Sequence, residues 1–457
     1  MILKSFRLGV FFNLIAFVWM ISSSSVAFGQ NADQKSPEPR REQLLNTLRL
    51  HIWATPKSES VTLKLRVHSG AAFDTAGKMG TMCLLADNFF PEEGTRRYFE
   101  EDLNGRLEVD CNYDYLQVTA SGRADAFEDM LDFVRTAVVN TPLTPENFVK
   151  TRDARLKLVG ETNKNQRTIA AQAAAKKLLG DFPYGRPKDG TPESLTKIDR
   201  FDLVAARDRF LTADNATLAI IGGVNEQFAT RAAKQLFGAW KKSDKPVPAT
   251  FRQPDPPTPD FVMIDVPASE TVEIQSVVRG TARNNKDYAA AMIATDILQT
   301  RLRAAVPENL RAQSFVRHQA HLLPGIAVYG ATVPKTQTIE FLKILEATGP
   351  QTRDFTAEEF ETARAALLTI FNSKTAQTTD LADSHLDIIT FKLPALAEQR
   401  RSIETVTLAD VKRVFAKLNN GGAARVIVGD LSIVKPLLDK ATAELTPAPN
   451  AAKSPQQ

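Results

Sequence analysis

The strongest constraint on this sequence is an internal repeat, because short motifs of its first half return in its second half in the same order. Three matched pairs of segments carry the repeat at a nearly constant separation: 144–148 and 356–360, 194–203 and 402–411, and 220–222 and 427–429. One such match can arise by chance, but three in register indicate a duplicated structural unit. The chain therefore predicts two similar domains in tandem.

Each half shows strands first, then several amphipathic helices, then a closing apolar strand. Residues 61–67 alternate polar and apolar side chains, as a strand with one buried face does, and residues 272–278 match them in the second half. This order of elements favours a layered fold. We predict fold class α+β, with two tandem homologous domains, each a mainly antiparallel sheet covered by helices on one face.

Changes in composition along the chain set the predicted boundaries. Six prolines between residues 243 and 260 disfavour helix and central strand, so this stretch is predicted to be a semi-rigid linker. The full division is a signal peptide at 1–29, a flexible leader at 30–41, an N-terminal domain at 42–242, the linker at 243–260, a C-terminal domain at 261–445 and a disordered tail at 446–457.

The N-terminus has the pattern of a secretory signal. Lys4 and Arg7 precede an apolar run over residues 8–21, and small residues Ala27 and Gly29 stand before the expected cleavage point. The run is short for a spanning helix, so we predict an exported, periplasmic protein with no membrane span in the mature chain. With 57 basic and 53 acidic side chains, the near-balanced charge gives no argument for a nucleic-acid partner.

Residues 80–90 follow a turn-rich segment that begins at Ser69-Gly70, and their apolar spacing predicts a short helix. Cys83 and Asp87 lie four residues apart, so both point to one side of that helix. This order of strand, turn, Gly80 and helix resembles the beginning of the pitrilysin/insulinase family, whose zinc peptidases carry the inverted motif H-x-x-E-H here. Further similar segments lie at 182–191, 220–223, 266–268 and 287–298, and the resemblance covers roughly residues 45–440.

Laid on the family motif, the first His is Cys83, the Glu is Ala86 and the second His is Asp87. A working site needs two imidazoles, a third carboxylate ligand and a Glu base. Ala86 removes that base, which typically supplies roughly 10²–10⁴-fold in rate. The family spacing puts the third ligand at Leu158, with Glu161 one turn later as the alternative. The resemblance thus implies a degenerate site with no zinc.

Two other interpretations of the motif stay open. One is an unusual metal site built from Cys83, Asp87 and Cys111, although no His lies nearby in sequence. The other is a Cys nucleophile, which would need a base such as His. In the second half, the family binds substrate with an Arg and a Tyr seven residues apart. Arg311 matches the Arg, whereas His318 stands at the Tyr position; Arg311 as a surface salt-bridge residue is the competing interpretation.

The resemblance implies an exported, catalytically inactive homologue, not an enzyme on its own, that is the zinc-less partner of a zinc-bearing subunit of the same family. It would bind extended peptides, offering an edge strand of its N-terminal half. No cofactor is expected; zinc is expected only if the motif is misinterpreted. The alternatives are a structural or scaffolding subunit of the same fold and an active metalloendopeptidase with a rearranged zinc site.

The resemblance also places Cys111 on the strand that runs beside the motif helix. Export makes oxidation of Cys83 and Cys111 chemically allowed, and these are the only cysteines in the chain. A disulfide between them is one expectation. The alternative is two free cysteines that pack as small apolar groups.

Overall fold

The computed structural model describes residues 37–243, 251–349 and 354–445, with side chains described up to residue 439. The predicted signal peptide, most of the predicted leader, part of the predicted linker and the predicted tail lie outside these residues. Within them, no helix combines the length and the apolar character that crossing a membrane requires.

The first half forms a six-stranded sheet with eight helices. The strands run in the spatial order β1-β2-β6-β3-β5-β4, and only the β2–β6 pair is parallel. The elements are β1 (Arg40–Gln43), β2 (Arg49–Ala54), β3 (Ser60–Val67), β4 (Arg106–Cys111), β5 (Leu116–Arg123), β6 (Ala216–Gly222), α1 (Thr81–Asp87), α2 (Glu93–Glu101), α3 (Phe127–Val139), α4 (Pro145–Thr162), α5 (Gln166–Leu179), α6 (Pro192–Lys197), α7 (Arg200–Phe210) and α8 (Glu226–Phe237).

The second half repeats this plan with a five-stranded sheet. The strands run in the order β7-β11-β8-β10-β9, and only the β7–β11 pair is parallel. The elements are β7 (Phe261–Asp265), β8 (Thr271–Arg279), β9 (Ser314–Gln319), β10 (Ile326–Pro334), β11 (Ala423–Gly429), α9 (Tyr288–Ala305), α10 (Glu308–Arg311), α11 (Thr338–Thr348), α12 (Ala357–Ala376), α13 (Thr378–Phe391), α14 (Leu396–Thr405), α15 (Leu408–Asn419) and α16 (Leu431–Leu445).

The predicted fold class is confirmed. The repeated motif at 144–148 and 356–360 starts α4 and α12, which occupy equivalent places in the two halves. The hydroxyl of Thr144 accepts the backbone N–H of Asn147 at 3.1 Å, and Thr356 accepts that of Glu359 at 3.2 Å. Each threonine therefore satisfies an amide that a helix start leaves without a partner. The sequence repeat thus reflects a repeated helix cap.

Strand β1 begins at Arg40, inside the stretch that the sequence assigned to the leader. Arg40 and Arg41 pair with Ile52 and His51 of β2 in an antiparallel ladder. Charged side chains made this segment resemble a solvated leader. It is an edge strand, where such residues are common because one side of the backbone faces solvent.

The expectation that helices cover one face of each sheet is incomplete, because the two halves exchange helices. Helix α5 of the first half packs on the second sheet. Its residues Ala170, Ala174 and Leu178 belong to one apolar cluster with Val277 and Val426 of that sheet. Helix α13 of the second half packs on the first sheet. Each sheet is therefore covered on both faces, and the exchange joins the halves into one folded unit.

Candidate site at the degenerate motif

The helix that carries the motif is held at its N-terminus by Asp74. The Asp74 carboxylate accepts the backbone N–H groups of Gly80 at 2.7 Å and Met82 at 2.9 Å, and burial raises the pKa of Asp74 to about 7. Gly80 has φ of +93°, and a Cβ there would lie 2.9 Å from the Asp189 carbonyl oxygen. Only glycine fits this left-handed, crowded position. The turn therefore fixes where α1 starts and which side chains face outward.

Cys83 lies on the buried side of α1 and is joined to Cys111 in a disulfide. The two Cα atoms are 5.4 Å apart, within the range that a disulfide requires. Cys111 is the last residue of β4, so the bond ties α1 to the edge strand of the first sheet. The sulfur of Cys83 is consumed by this bond, so it is neither a metal ligand nor a nucleophile in the oxidised protein.

The carboxylate of Asp87 is occupied by a cation of the protein itself. The Arg155 guanidinium donates from Nε to Asp87 Oδ2 at 2.5 Å and from Nη2 to Oδ1 at 2.8 Å, a bidentate pair. Nη2 also approaches the Cys83 carbonyl oxygen at 3.3 Å, and Nη1 approaches Asp189 Oδ1 at 3.2 Å. The Arg155 side chain is only 7% exposed. Burial lowers the pKa of Arg155, but its hydrogen bonds to Asp87 and the negative charges of Asp87 and Asp189 hold that pKa above its usual value.

The two other positions of the motif offer no ligand. Ala86 is buried in the apolar core of the first half. The third-ligand position at Leu158 needs correction: Leu158 is 56% exposed, and Arg155, one turn earlier on α4, contacts Asp87 instead. Glu161 is also exposed and pairs with Lys164. Helix α4 has its inner face at Phe148, Thr151, Arg155 and Val159, and Leu158 lies off that face.

These residues do not fit a zinc ion. Zinc would require a free thiolate or carboxylate at each position, but the thiol is oxidised and the carboxylate is neutralised by Arg155. Across residues 37–243, 251–349 and 354–445, no group of three His, Cys, Asp or Glu side chains is placed to hold a metal ion.

Arg311 and His318, which stand at the positions of the family's substrate-binding Arg and Tyr, lie in different environments. Arg311 is exposed at the end of α10 and forms no ion pair within the described part of the chain. His318 is directed inward on β9, where its Nε2 accepts the backbone N–H of Thr281 at 3.0 Å. Burial, helped by the charges of Arg283 and His321, lowers the pKa of His318 to about 4. The imidazole is therefore neutral at pH 7, with its proton on Nδ1.

Residues 197–367 match a family model described as the peptidase M16 inactive domain. This match supports the resemblance to the pitrilysin/insulinase family, M16. The match spans the end of the first half and most of the second. No curated protein matches the sequence.

Several solved structures share the fold of this chain at low sequence identity. The peptidase M16 inactive domain from Pseudomonas fluorescens superposes with a TM-score of 0.76 at 18% identity, covering 86% of this chain and 98% of that one. A protease from Helicobacter pylori gives 0.75 at 15% identity, covering 86% and 100%. A subunit of complex III2 from Candida albicans, bound to Inz-5, gives 0.72 at 13% identity, covering 86% and 97%. The chain therefore has an M16 peptidase-like fold.

Sequence reasoning about the M16 motif missed Arg155. The signal was present, because Arg155 follows Phe148 and Thr151 at helical spacing and precedes Val159 by four residues, which places it on the inner face of α4. It also missed His321, whose Nδ1 lies 2.9 Å from Asp114 Oδ2 and whose ring stacks on Tyr184 at 4.3 Å. That contact joins the two halves and carried no pattern in the sequence.

Proposed function

We propose that this protein is an exported, catalytically inactive M16 member that serves as the zinc-less partner of a zinc-bearing M16 subunit and binds extended peptides for it. The observation that carries the proposal is the Arg155 guanidinium on Asp87. A buried cation at the motif replaces the charge that a metal would supply and repels a second one. The fold of a peptidase is thus kept while its metal chemistry is removed.

Edge strand β4 supports the peptide-binding part of the proposal. It is the last strand of the first sheet and, in the part of the chain that the structure describes, pairs only with β5, so its other edge can add a strand. Arg106, Glu108 and Asp110 on β4 are exposed and discourage pairing with a second copy of the chain. An extended peptide of complementary charge could pair with β4 without this charge repulsion.

The disulfide supports the export part. Disulfides persist in oxidising compartments and are rare in reducing ones. The bond between Cys83 and Cys111 therefore agrees with the signal pattern at residues 1–29.

A second candidate is a scaffolding subunit that binds no peptide. His318 favours it, because this neutral, inward-facing imidazole cannot supply the exposed hydroxyl that a Tyr offers a substrate. The structural similarity to a subunit of complex III2 is compatible with such a role. Loss of partner activation in the Arg311→Ala variant would favour the peptide-binding candidate over this one.

Rebuilding the metal site tests the central claim. The purified mature chain should carry no stoichiometric zinc by metal analysis and should not cleave a quenched extended peptide. Combining Cys83→His, Ala86→Glu and Asp87→His should restore little zinc, since Arg155 remains in place. Adding Arg155→Glu should restore zinc binding, because that side chain already reaches the motif. The matched control adds Leu158→Glu in place of Arg155→Glu. It should not restore zinc binding, because Leu158 is exposed.

Pairing is tested with the product of a neighbouring reading frame that carries an intact H-x-x-E-H motif. Peptide cleavage by that subunit should rise when this chain is added. Chelator-sensitive cleavage by this chain alone, abolished by Asp87→Ala, would contradict the proposal and support an active enzyme with a rearranged site.

A further inference from the structure

A cleft of about 180 Å³ lies between α5, the face of the second sheet that α5 covers, and the segment at residues 184–187. We call it the α5 cleft. Its floor is apolar, formed by Val277 of β8, Phe315 of β9 and Val328 of β10. Strand β9 is the edge of the second sheet, so the cleft meets solvent beside an unpaired strand.

Three arginines line this cleft, and they differ in how far hydrogen bonds and ion pairs engage their guanidinium groups. Arg167 donates to the Thr332 hydroxyl at 2.9 Å, and its Nε lies 3.6 Å from Glu273 Oε1. Arg186 donates to two backbone carbonyl oxygens, at 2.8 and 3.2 Å, while its Nε is buried and has no hydrogen-bond partner among the described residues. Arg317 is exposed and makes no ion pair within the described ranges; its guanidinium lies 5.1 Å from the Phe315 ring.

The carboxylates near the cleft already have partners. Glu273 accepts from the Thr332 hydroxyl at 2.6 Å and from Gln275 Nε2 at 2.8 Å, in addition to its contact with Arg167. Asp114 accepts from Tyr184 and contacts His321. Within the described ranges, Arg317 and the Nε of Arg186 therefore remain without a hydrogen-bond acceptor.

Gln275 adds a buried hydrogen-bond acceptor to the lining of the cleft. This side chain is only 2% exposed, and its Nε2 donates to Glu273 and to the Arg167 carbonyl oxygen, which fixes the amide orientation. Its Oε1 is buried and receives no hydrogen bond from the residues that the structure describes. Buried acceptors of this kind are normally paired, so an unpaired one that lines a cleft points to a ligand that donates an N–H.

We propose that the α5 cleft binds a carboxylate presented by an extended peptide, with Arg317 and Arg186 donating to the carboxylate and Gln275 Oε1 accepting a peptide N–H. This inference rests on the proposed peptide-binding function. A peptide C-terminus carries both groups next to each other, and an acidic side chain presents the same carboxylate chemistry. Apolar walls and a few converging polar groups are the usual composition of such a site.

The test measures binding of dye-labelled alanine-rich hexapeptides to the purified full chain by fluorescence anisotropy. Three peptides are compared: one with a free C-terminal carboxylate, one with a C-terminal amide, and an amide with a terminal Glu side chain. The free acid should bind roughly tenfold or more tightly than the plain amide, the size expected for one charge-assisted contact. Equal binding of the Glu amide and the free acid would support a site that accepts either source of carboxylate.

Arg317→Gln should remove the preference for the free acid. Ala171→Leu, which narrows the cleft from the exposed side of α5, should weaken that preference. Arg425→Gln is the matched control, because Arg425 lies on the same sheet over the Phe261 ring but lines a different cavity. That variant should keep the full preference.

The failure of this inference is distinguishable from failure of the proposed function. If all three peptides bind equally to the wild-type chain and to Arg317→Gln, the cleft proposal is wrong while peptide binding stands. If the peptides do not bind but N-acetyl-L-alanine does, and its amide does not, by titration calorimetry, the cleft stands and the peptide-partner function falls. If neither the peptides nor N-acetyl-L-alanine binds, the cleft proposal is overturned.

Discussion

The two helices that cross between the halves occupy equivalent places but meet their sheets with different chemistry. Helix α5 contacts the second sheet mainly through apolar side chains, among them Ala174 and Leu178. Helix α13 presents Asp383 and Asp387 to the first sheet, where Lys64 pairs with Asp383, and Arg66 Nη1 donates to Asp387 Oδ1 at 2.7 Å. The α5 interface rests mainly on burial of apolar surface, whereas the α13 interface adds ion pairs of buried basic side chains to a smaller apolar cluster.

Histidines add to the polar character of the α13 interface. His68 lies between Thr390 of α13 and Thr217 of β6, at 2.9 Å from each hydroxyl. The His51 ring lies 6.0 Å from that of His385 on α13. Apolar burial is insensitive to salt and pH, whereas ion pairs and buried neutral histidines are not. Two equivalent helices of one fold can therefore be held to their sheets by interactions that respond differently to salt and pH.

The largest effect is expected from truncating the apolar interface. Leu178→Ala removes a fully buried side chain of α5 and should lower the free energy of unfolding by about 4 kcal/mol, since such cavities cost roughly 2–5 kcal/mol. Urea denaturation at low and high ionic strength should give the same loss. Lys176→Ala, an exposed change on the same helix, is the control. A loss that depends on salt would contradict the apolar description.

Acidification should loosen α13 before α5. Burial, then the charges of His385 and two nearby arginines, lowers the pKa of His51 from 6.5 to about 4, and the pKa values of His68 and His385 are also lowered. The unfolded state therefore binds more protons between these values, so stability is present above pH 6.5 and is lost as the pH falls towards about 4. His51 alone accounts for about 3 kcal/mol over this range.

Hydrogen exchange, corrected for intrinsic rates, can follow the two helices separately. As the pH decreases, protection from exchange should fall in residues 378–391 before it falls in residues 166–179. His51→Gln should make the protection of residues 378–391 less dependent on pH. Asp74 acts in the opposite direction, because its pKa is raised to about 7 and its contribution to stability grows as the pH falls. Simultaneous loss of protection in both helices would indicate that acid acts on the whole fold.

Removing one partner of the charged interface should have a smaller effect. Arg66→Met leaves Asp387 without its cation and Gln117 Oε1 without its 2.6 Å donor. We expect a loss of about 2 kcal/mol, less than the roughly 3–5 kcal/mol of a fully buried pair, because the carboxylates are about one-third exposed. The loss in urea denaturation should shrink at high salt. An equal loss at all salt concentrations would show that packing of the arginine stem dominates.

The sequence predicted the repeated fold because the helix caps and strand patterns are local. It did not predict the exchange of helices. Lys64 and Arg66 occupy alternate positions on β3, which is the usual pattern of a solvent-facing strand edge or face. Their acidic partners lie more than three hundred residues later in the chain, so no local pattern marks the pairing.

At the motif, the sequence located Cys83, Ala86 and Asp87 because they share one short helix. The third position failed for a geometric reason. Counting along α4 by family spacing gave Leu158, but the face of a helix is set by its packing phase, and that phase places Arg155 inward. A basic residue on an otherwise buried helical face is the signal that would have located the compensating charge of Asp87.

The smallest effect concerns a single hydroxyl at the α13 interface. Thr390 donates to the Leu386 carbonyl oxygen at 2.9 Å, so its oxygen must accept from His68 Nδ1, which assigns the proton of His68 to Nδ1 and makes Nε2 the acceptor for Thr217. Thr390→Val keeps the shape but leaves that N–H unpaired and should cost about 1 kcal/mol. Thr369→Val is the matched control, because Thr369 makes the same hydrogen bond four residues back on exposed α12 but contacts no histidine. The excess loss of Thr390→Val over this control, measured by urea denaturation, reports the contacts of this hydroxyl across the interface, with His68 at 2.9 Å and with Arg66 Nη1 at 3.5 Å. Equal losses would show that the hydroxyl contributes only through its own helix.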